Sequence, residues 1–147
     1  MTTDDSTISC IREHAAGVYP EECCGFLIGG WTDTGSVVVV GAQPVENVRG
    51  ELKERRYRIA PNDLRRAEAD AEAESRAVVG FYHSHPDHPA RPSATDLEEA
   101  TFPGYTYVIV SVNSGEPGEI RSWSLKDDRS GFEEQPIEIV NRKLKAS

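Results

Sequence analysis

The stretch Phe81-Tyr82-His83-Ser84-His85-Pro86-Asp87-His88-Pro89-Ala90-Arg91-Pro92-Ser93-Ala94-Thr95-Asp96 sets two imidazoles two residues apart and follows them with a carboxylate. Three such donors can hold one divalent metal and leave a coordination position free. A structural zinc site instead closes its shell with four protein ligands. An open position serves hydrolysis, because a metal lowers the pKa of water and polarises a carbonyl. Each residue also has a plainer reading. His83 and His85 could be surface histidines at a strand end. Ser93-Ala94-Thr95-Asp96 spells a near capping box, with Ser93 at the N-cap and an acid at N3. His88 reads as a solvated loop histidine or as an extra ligand.

The elements that would position these groups are legible from pattern. Ala77 to His85 reads as a strand, and period-2 geometry turns His83 and His85 to the same side. Asp87 to Pro92 is a loop, and Ser93 to Thr101 a short helix. Upstream, Thr7 to Gly17 reads as a helix ended by Gly17 and Pro20. Cys23 to Trp31 is a buried strand, and the β-branched run Ser36 to Pro44 pairs with it across the turn Thr32-Asp33-Thr34-Gly35. Val45 to Arg58 is an irregular excursion carrying Arg49, Lys53, Arg55, Arg56 and Arg58. It is either a solvated loop or a contact surface for an acidic protein. Pro61 to Arg76 is helical, with Pro61 in the first turn. Tyr105 to Val112 and Glu119 to Leu125 are strands joined by a turn over Asn113 to Gly118. Pro136 to Lys145 suits a strand or a helix. Helices interleaved with strands, with hairpins at both ends, make an α/β (α+β) fold: a three-layer domain with a mixed central sheet flanked by helices.

Composition narrows the functional classes. At 147 residues the chain has the length of one domain, taken as 1–147. A net charge of −9 argues against nucleic acid as a partner, since a polyanion needs a basic face. The N-terminal residues lack the basic and apolar regions of a signal peptide, and no apolar run is long enough to span a membrane, so no membrane partner is expected. Three cysteines, two of them adjacent, do not make a disulfide framework, and the setting expected is cytoplasmic. Apolar flanks make Cys24 a buried strand residue rather than a ligand or redox thiol.

His83-x-His85, seven residues, Ser93, two residues and Asp96 resembles the motif of the JAMM (MPN+, Mov34-type) metalloproteases. That family places a glutamate upstream in a Pro-x-Glu-x-Cys-Gly context before a strand. Here Pro20-Glu21-Glu22-Cys23-Cys24-Gly25 puts that glutamate on Glu22. The resemblance covers about Glu13 to Leu125. It implies a cytidine-deaminase-like MPN/JAMM fold, Zn²⁺ held by His83, His85 and Asp96, Glu22 as general base, and Ser93 as donor to the oxyanion. It also implies a zinc metallopeptidase that hydrolyses a peptide or isopeptide bond at the C-terminal Gly-Gly tail of a ubiquitin-like or sulfur-carrier protein. Only ten residues separate His85 from Asp96, which is most similar to minimal prokaryotic members acting on sulfur carriers. A homodimer is compatible with such a domain. Two other readings share the motif: a non-catalytic MPN-type scaffold, and a DNA-repair-associated JAMM-like protein, which typically has Asn where Ser84 stands. Zinc deaminases need a His-x-Glu and a later Pro-Cys-x-x-Cys, and the chain has neither.

Overall fold

The computed structural model of the chain describes residues 1–51, 53, 57–100 and 102–145. The first strand, β1 (Thr2–Asp4), feeds directly into α1 (Asp5–Val18), whose N-cap Asp4 accepts the Thr7 N–H at 2.8 Å. Ile8, Ile11 and Ala15 form the buried stripe of α1 at helical spacing. The helix passes through Gly17 and stops before Pro20, one residue beyond the expected end. Tyr19 is extended there, as a residue preceding proline prefers.

A hairpin follows, β2 (Cys24–Trp31) against β3 (Val37–Val45), close to expectation. The described part of the excursion after Val45 is irregular, while Arg55 and Arg56 lie outside the described residues. Helix α2 (Pro61–Ala73) ends three residues before Arg76, where Ser75 takes a positive φ and the Arg76 N–H closes onto the Ala71 carbonyl. Strand β4 (Ala77–Pro86) carries the histidines, and the loop after it leads to α3 (Ala94–Glu99). Strand β5 (Thr106–Asn113) turns into β6 (Glu116–Leu125) over two residues only. Ser114 and Gly115 both have positive φ, the conformation of a tight two-residue hairpin, so β6 begins three residues earlier than expected.

Among the described residues the sheet has eight strands in the order β7-β6-β5-β4-β2-β3-β1-β8, with β7 (Phe132–Gln135) and β8 (Glu138–Val140) at its edges. It is mixed: β4 runs parallel to β5, and β1 runs parallel to both β3 and β8. The segment Pro136 to Lys145 therefore contributes a short strand, which pairs in parallel with β1, while both expected hairpins, β2–β3 and β5–β6, are present. The short strands β1 and β7 were not foreseen, and β8 only as one of two alternatives, because three or four residues carry too little alternation to signal a strand.

Both faces are covered. Ile11 and Ala15 of α1 pack on Leu27, Val39, Tyr82, Val108 and Val110, while Ala67 of α2 packs with Phe26, Val78, Phe81 and Tyr107. Adjacent residues such as Phe26 and Leu27 enter opposite clusters, as the pleat demands. The exception is Val78 and Phe81. They share a face although three apart, because the β2–β4 register skips Val79, pairing Leu27 with Gly80 and Ile28 with Val78. This bulge resets the alternation and turns everything after it. His83 and His85, in step with Phe81, thereby face the α2/α3 side. No helix among the described residues is long and apolar enough to cross a membrane.

Candidate metal centre

His83 and His85 are buried at the end of β4, 2% and 6% exposed. Their Nε2 atoms lie 3.1 Å apart. Asp96, from the first turn of α3, closes the triangle: Oδ1 is 3.2 Å from His83 Nε2 and Oδ2 is 3.0 Å from His85 Nε2. Four donors at about 2.0–2.1 Å around a tetrahedral ion stand about 3.3 Å from one another. The imidazole pair fits one edge of that figure, and Asp96 brings one carboxylate oxygen to each imidazole at a similar distance. His85 Nδ1 is 2.8 Å from the Pro89 carbonyl, which can only accept, so Nδ1 carries the hydrogen and a neutral ring presents the Nε2 lone pair to its neighbours. A lone pair aimed at a carboxylate oxygen calls for a cation between them. The residues fit a divalent metal.

The charges are arranged accordingly. Burial alone would raise the Asp96 carboxyl, but His83 first, and then the contact with His85, hold it well below the usual carboxylate range. Burial opposes the charged form of His83, yet Asp96, and then Glu22, raise its pKa above the ordinary value.

Asp96 is held by its own helix end. The Ser93 hydroxyl accepts the Asp96 N–H at 3.0 Å while the Ser93 N–H donates to Asp96 Oδ2 at 2.9 Å. The capping box and the ligand position are one arrangement, so the plain and functional readings of this motif coincide. Because its oxygen accepts that bond, the exposed Ser93 hydroxyl keeps its proton available for another acceptor.

Glu22 reaches the same face by register. Cys24 pairs with His83 across β2 and β4, and Glu22 stands two residues earlier, one full strand period. It is 4% exposed, and its Oε1 has no hydrogen-bond partner among the described residues. Burial pushes its pKa up to about 7, with His83 pulling the other way and Asp96 and Glu99 adding to the rise. Its backbone is pinned on both sides: the N–H donates to the Lys53 carbonyl at 2.6 Å, and its carbonyl accepts from Asn47 Nδ2 at 3.1 Å. Glu21, by contrast, is exposed.

The remaining candidates separate. His88 is exposed, outside the cluster formed by His83, His85 and Asp96. His14 is hydrogen-bonded to the Tyr82 hydroxyl at 2.8 Å. Cys23 and Cys24 are unpaired and buried, and burial pushes both thiols up to about 12, away from thiolate chemistry. Three groups had no signal in the sequence. Asn47 organises the excursion by accepting the Arg49 and Arg58 N–H groups while it holds Glu22. The Pro89 carbonyl fixes the His85 tautomer. The ring of Tyr57 stacks on His83 with centroids 4.6 Å apart and walls the site. Tyr57 sat inside a basic run, where charge masked it.

Beyond Tyr57 an open groove of about 580 Å³ runs along the sheet, floored by Ile59, Leu64, Phe81, Phe102 and Tyr107, with Arg49 and Arg58 at its margin.

A mixed sheet covered on both faces, with a His-x-His strand end and an aspartate-bearing helix start beside it, defines the JAB/MPN class of domain. Residues 4–126 match the family model described as prokaryotic homologs of the JAB domain. A desampylase from Haloferax volcanii is 43% identical over 107 residues, 73% of this chain and 74% of that protein. A CysO-cysteine peptidase from Mycobacterium tuberculosis is 30% identical over 135 residues, 92% of this chain and 88% of that one. The solution structure of a protein from Salinibacter ruber is 47% identical over the whole of both chains, with a TM-score of 0.77. The chain belongs to the prokaryotic JAB-domain family, of JAMM/MPN+ type, and is a hydrolase of that metalloprotease class.

Proposed function

We propose that the protein is a zinc metallopeptidase that cleaves a peptide or isopeptide bond at the C-terminal Gly-Gly tail of a ubiquitin-like or sulfur-carrier protein. The observation that carries the chemistry is the convergence of two imidazole nitrogens and the Asp96 carboxylate, with nearest contacts of 3.0–3.2 Å, beside a buried carboxylate whose Oε1 has no described partner. The relatives, named a desampylase and a CysO-cysteine peptidase, support the substrate class. The groove beside Tyr57 supports an extended tail, whose backbone can pair with a strand edge while alternate side chains settle on the apolar floor. One continuous sheet supports reading 1–147 as a single domain, and three unpaired thiols suit a reducing cytoplasm.

His83, His85 and Asp96 are the ligands. Zinc, when bound, supplies Lewis-acid chemistry, lowering the pKa of a coordinated water to about 7 and polarising a carbonyl. Glu22 takes the proton of the attacking water and returns it to the leaving amine. Burial raises the Glu22 carboxyl toward neutrality before any metal binds, which suits a group that must both accept and return a proton near neutral pH. Ser93 donates its hydroxyl proton to the developing oxyanion without giving up the bond it accepts from Asp96.

The test is a cleavage series on a Gly-Gly-tailed ubiquitin-like carrier bearing C-terminal extensions, in zinc-replete buffer, read by mass. Cleavage directly after the glycines, and loss of cleavage when the last glycine is made bulky, is the expected result. Equal rates on glycine-free peptides would show a general peptidase. Retained metal with no cleavage of any carrier would favour the scaffold reading.

A further inference from the structure

One contact joins the two segments that carry the site from outside it. The Tyr19 hydroxyl donates to Asp87 Oδ2 at 2.6 Å. Tyr19 stands three residues before Glu22, at the end of α1, and Asp87 two residues after His85, at the end of β4. Asp87 is not a passive acceptor. It adopts a positive φ of 57°, and its other oxygen accepts the Ser114 N–H from the β5–β6 turn at 2.7 Å. Its own N–H donates to the Val112 carbonyl at 2.7 Å. The Tyr19 ring lies over that same turn, where a Cβ on Gly115 would stand 3.8 Å from its Cδ1.

We propose that Tyr19 and Asp87 form a positioning pair that sets the Glu22 segment against the loop holding His85, an inference that rests on the roles given above to Glu22 and His85. The short span on either side is what gives the pair leverage. From Tyr19 the chain makes a tight turn, closed by the Glu21 N–H on the Val18 carbonyl, and arrives at Glu22. From Asp87 it runs two residues to Pro89, whose carbonyl holds His85 Nδ1. Asn47 and Lys53 hold Glu22 from the excursion side. Cys23 is paired to the ligand strand itself, its N–H on Ser84 Oγ at 2.8 Å and its carbonyl accepting the Ser84 N–H at 3.2 Å. The Tyr19 bond adds a tie on the other side of Glu22, to that strand's exit. A side chain in the left-handed region is uncommon outside glycine, and aspartate tolerates it. The Ser114 and Val112 bonds keep Asp87 there, with its second oxygen turned to Tyr19. Both residues touch the site only through others, so neither is a catalytic residue.

The test compares Tyr19→Phe, Asp87→Ala and the double variant, all zinc-loaded, with Asp87→Asn as the conservative control. Asparagine also tolerates the left-handed region and keeps an acceptor. With a Gly-Gly-tailed carrier as probe, Tyr19→Phe is expected to lower kcat about tenfold with KM and zinc content unchanged, since displacements near 1 Å can cost up to about 100-fold. The double variant should be no slower than Asp87→Ala alone, the signature of two residues acting through one contact. Asp87→Asn should recover most of the rate. A second readout needs no turnover: amide exchange at Glu22 and Ser114 should quicken about tenfold in Tyr19→Phe while the melting temperature holds. If the wild type cleaves no carrier, the substrate reading fails, and the exchange measurement still decides the pair. Unchanged exchange at both amides, or strictly additive losses in kcat, would overturn the proposal.

Discussion

Glu21 and Glu22 are adjacent and chemically identical, and their difference is one of environment alone. Glu22 is buried with a pKa of about 7, against an ordinary value of 4.5, and Glu21 is exposed. Glu22→Gln should keep the metal and lose activity by roughly 10²–10⁴-fold or more, while Glu21→Gln does little. Burial sets the Glu22 pKa at about 7 without metal, and a neighbouring divalent cation favours the carboxylate, so in the zinc-loaded wild type kcat/KM should rise through a midpoint below pH 7 as Glu22 ionises. The stability of the metal-free protein should move the other way. Between pH 4.5 and about 7 the folded chain keeps a proton on Glu22 that the unfolded chain releases, so stability falls as pH rises across that window. The full penalty, on the order of 3 kcal/mol, is present above pH 7. Metal-free Glu22→Gln should therefore melt above metal-free wild type at pH 8 and level with it at pH 4, as calorimetry at both values would show. Ser93 serves two purposes, so its variants should separate them. Ser93→Ala loses the cap, costing about 1 kcal/mol, and the oxyanion donor, costing about 100- to 1000-fold in rate, whereas Ser93→Asp keeps a cap acceptor and loses only the hydroxyl proton. Denaturant melts and initial rates measured on the same samples would distinguish the two effects.

At the scale of elements, β4 is the critical strand, because it pairs with both β2 and β5 and delivers the histidines at its end. Gly80 sits at the bulge in a spot where a Cβ would fall 2.1 Å from the Thr106 carbonyl oxygen of β5. The obstacle is backbone, so relief requires parting two paired strands. Gly80→Ala should cost about 3 kcal/mol, the upper range for overpacking, and should weaken metal retention because the strand that moves carries both imidazoles. Gly30→Ala, where nothing lies within 4 Å of the added Cβ, is the matched control and should be nearly neutral. Urea titration of the pair, with metal content measured alongside, checks this directly; a stable Gly80→Ala would show that the bulge can shift.

For the whole molecule, the site draws on separate parts of the chain: Glu22 before β2, His83 and His85 on β4, Asp96 on α3, with Asn47 and Tyr57 from the excursion. A ligand that binds only when these parts are assembled stabilises the folded state by mass action. Chelation should therefore lower the melting temperature of the wild type, and readdition of zinc should restore it. His83→Ala should melt near the chelated wild type and be indifferent to both treatments. A wild type whose melting temperature ignores chelation would mean that the three side chains do not hold a metal.

The long elements and the donor set were readable from sequence because they rest on local rules. Apolar and β-branched runs gave β2 to β5 within a few residues, alanine-rich helical composition gave α2, and the spacing of His83, His85, Ser93 and Asp96 picked out the candidate metal ligands together with the family resemblance. What only the tertiary structure decided depends on partners remote in the chain. The strands β1, β7 and β8 exist because neighbours offer them a ladder, since their own three or four residues carry no pattern. Which face the histidines take was set by the extra residue at Val79, whose effect appears only in the register against β2. Glu22 was distinguished from Glu21 in sequence by motif alignment alone; its upward-shifted pKa comes from burial and from the charges of Asp96 and Glu99, brought near it by folding. Local sequence specifies which groups are present and how they repeat, whereas desolvation and facing depend on what packs against them, and that information lies tens of residues away.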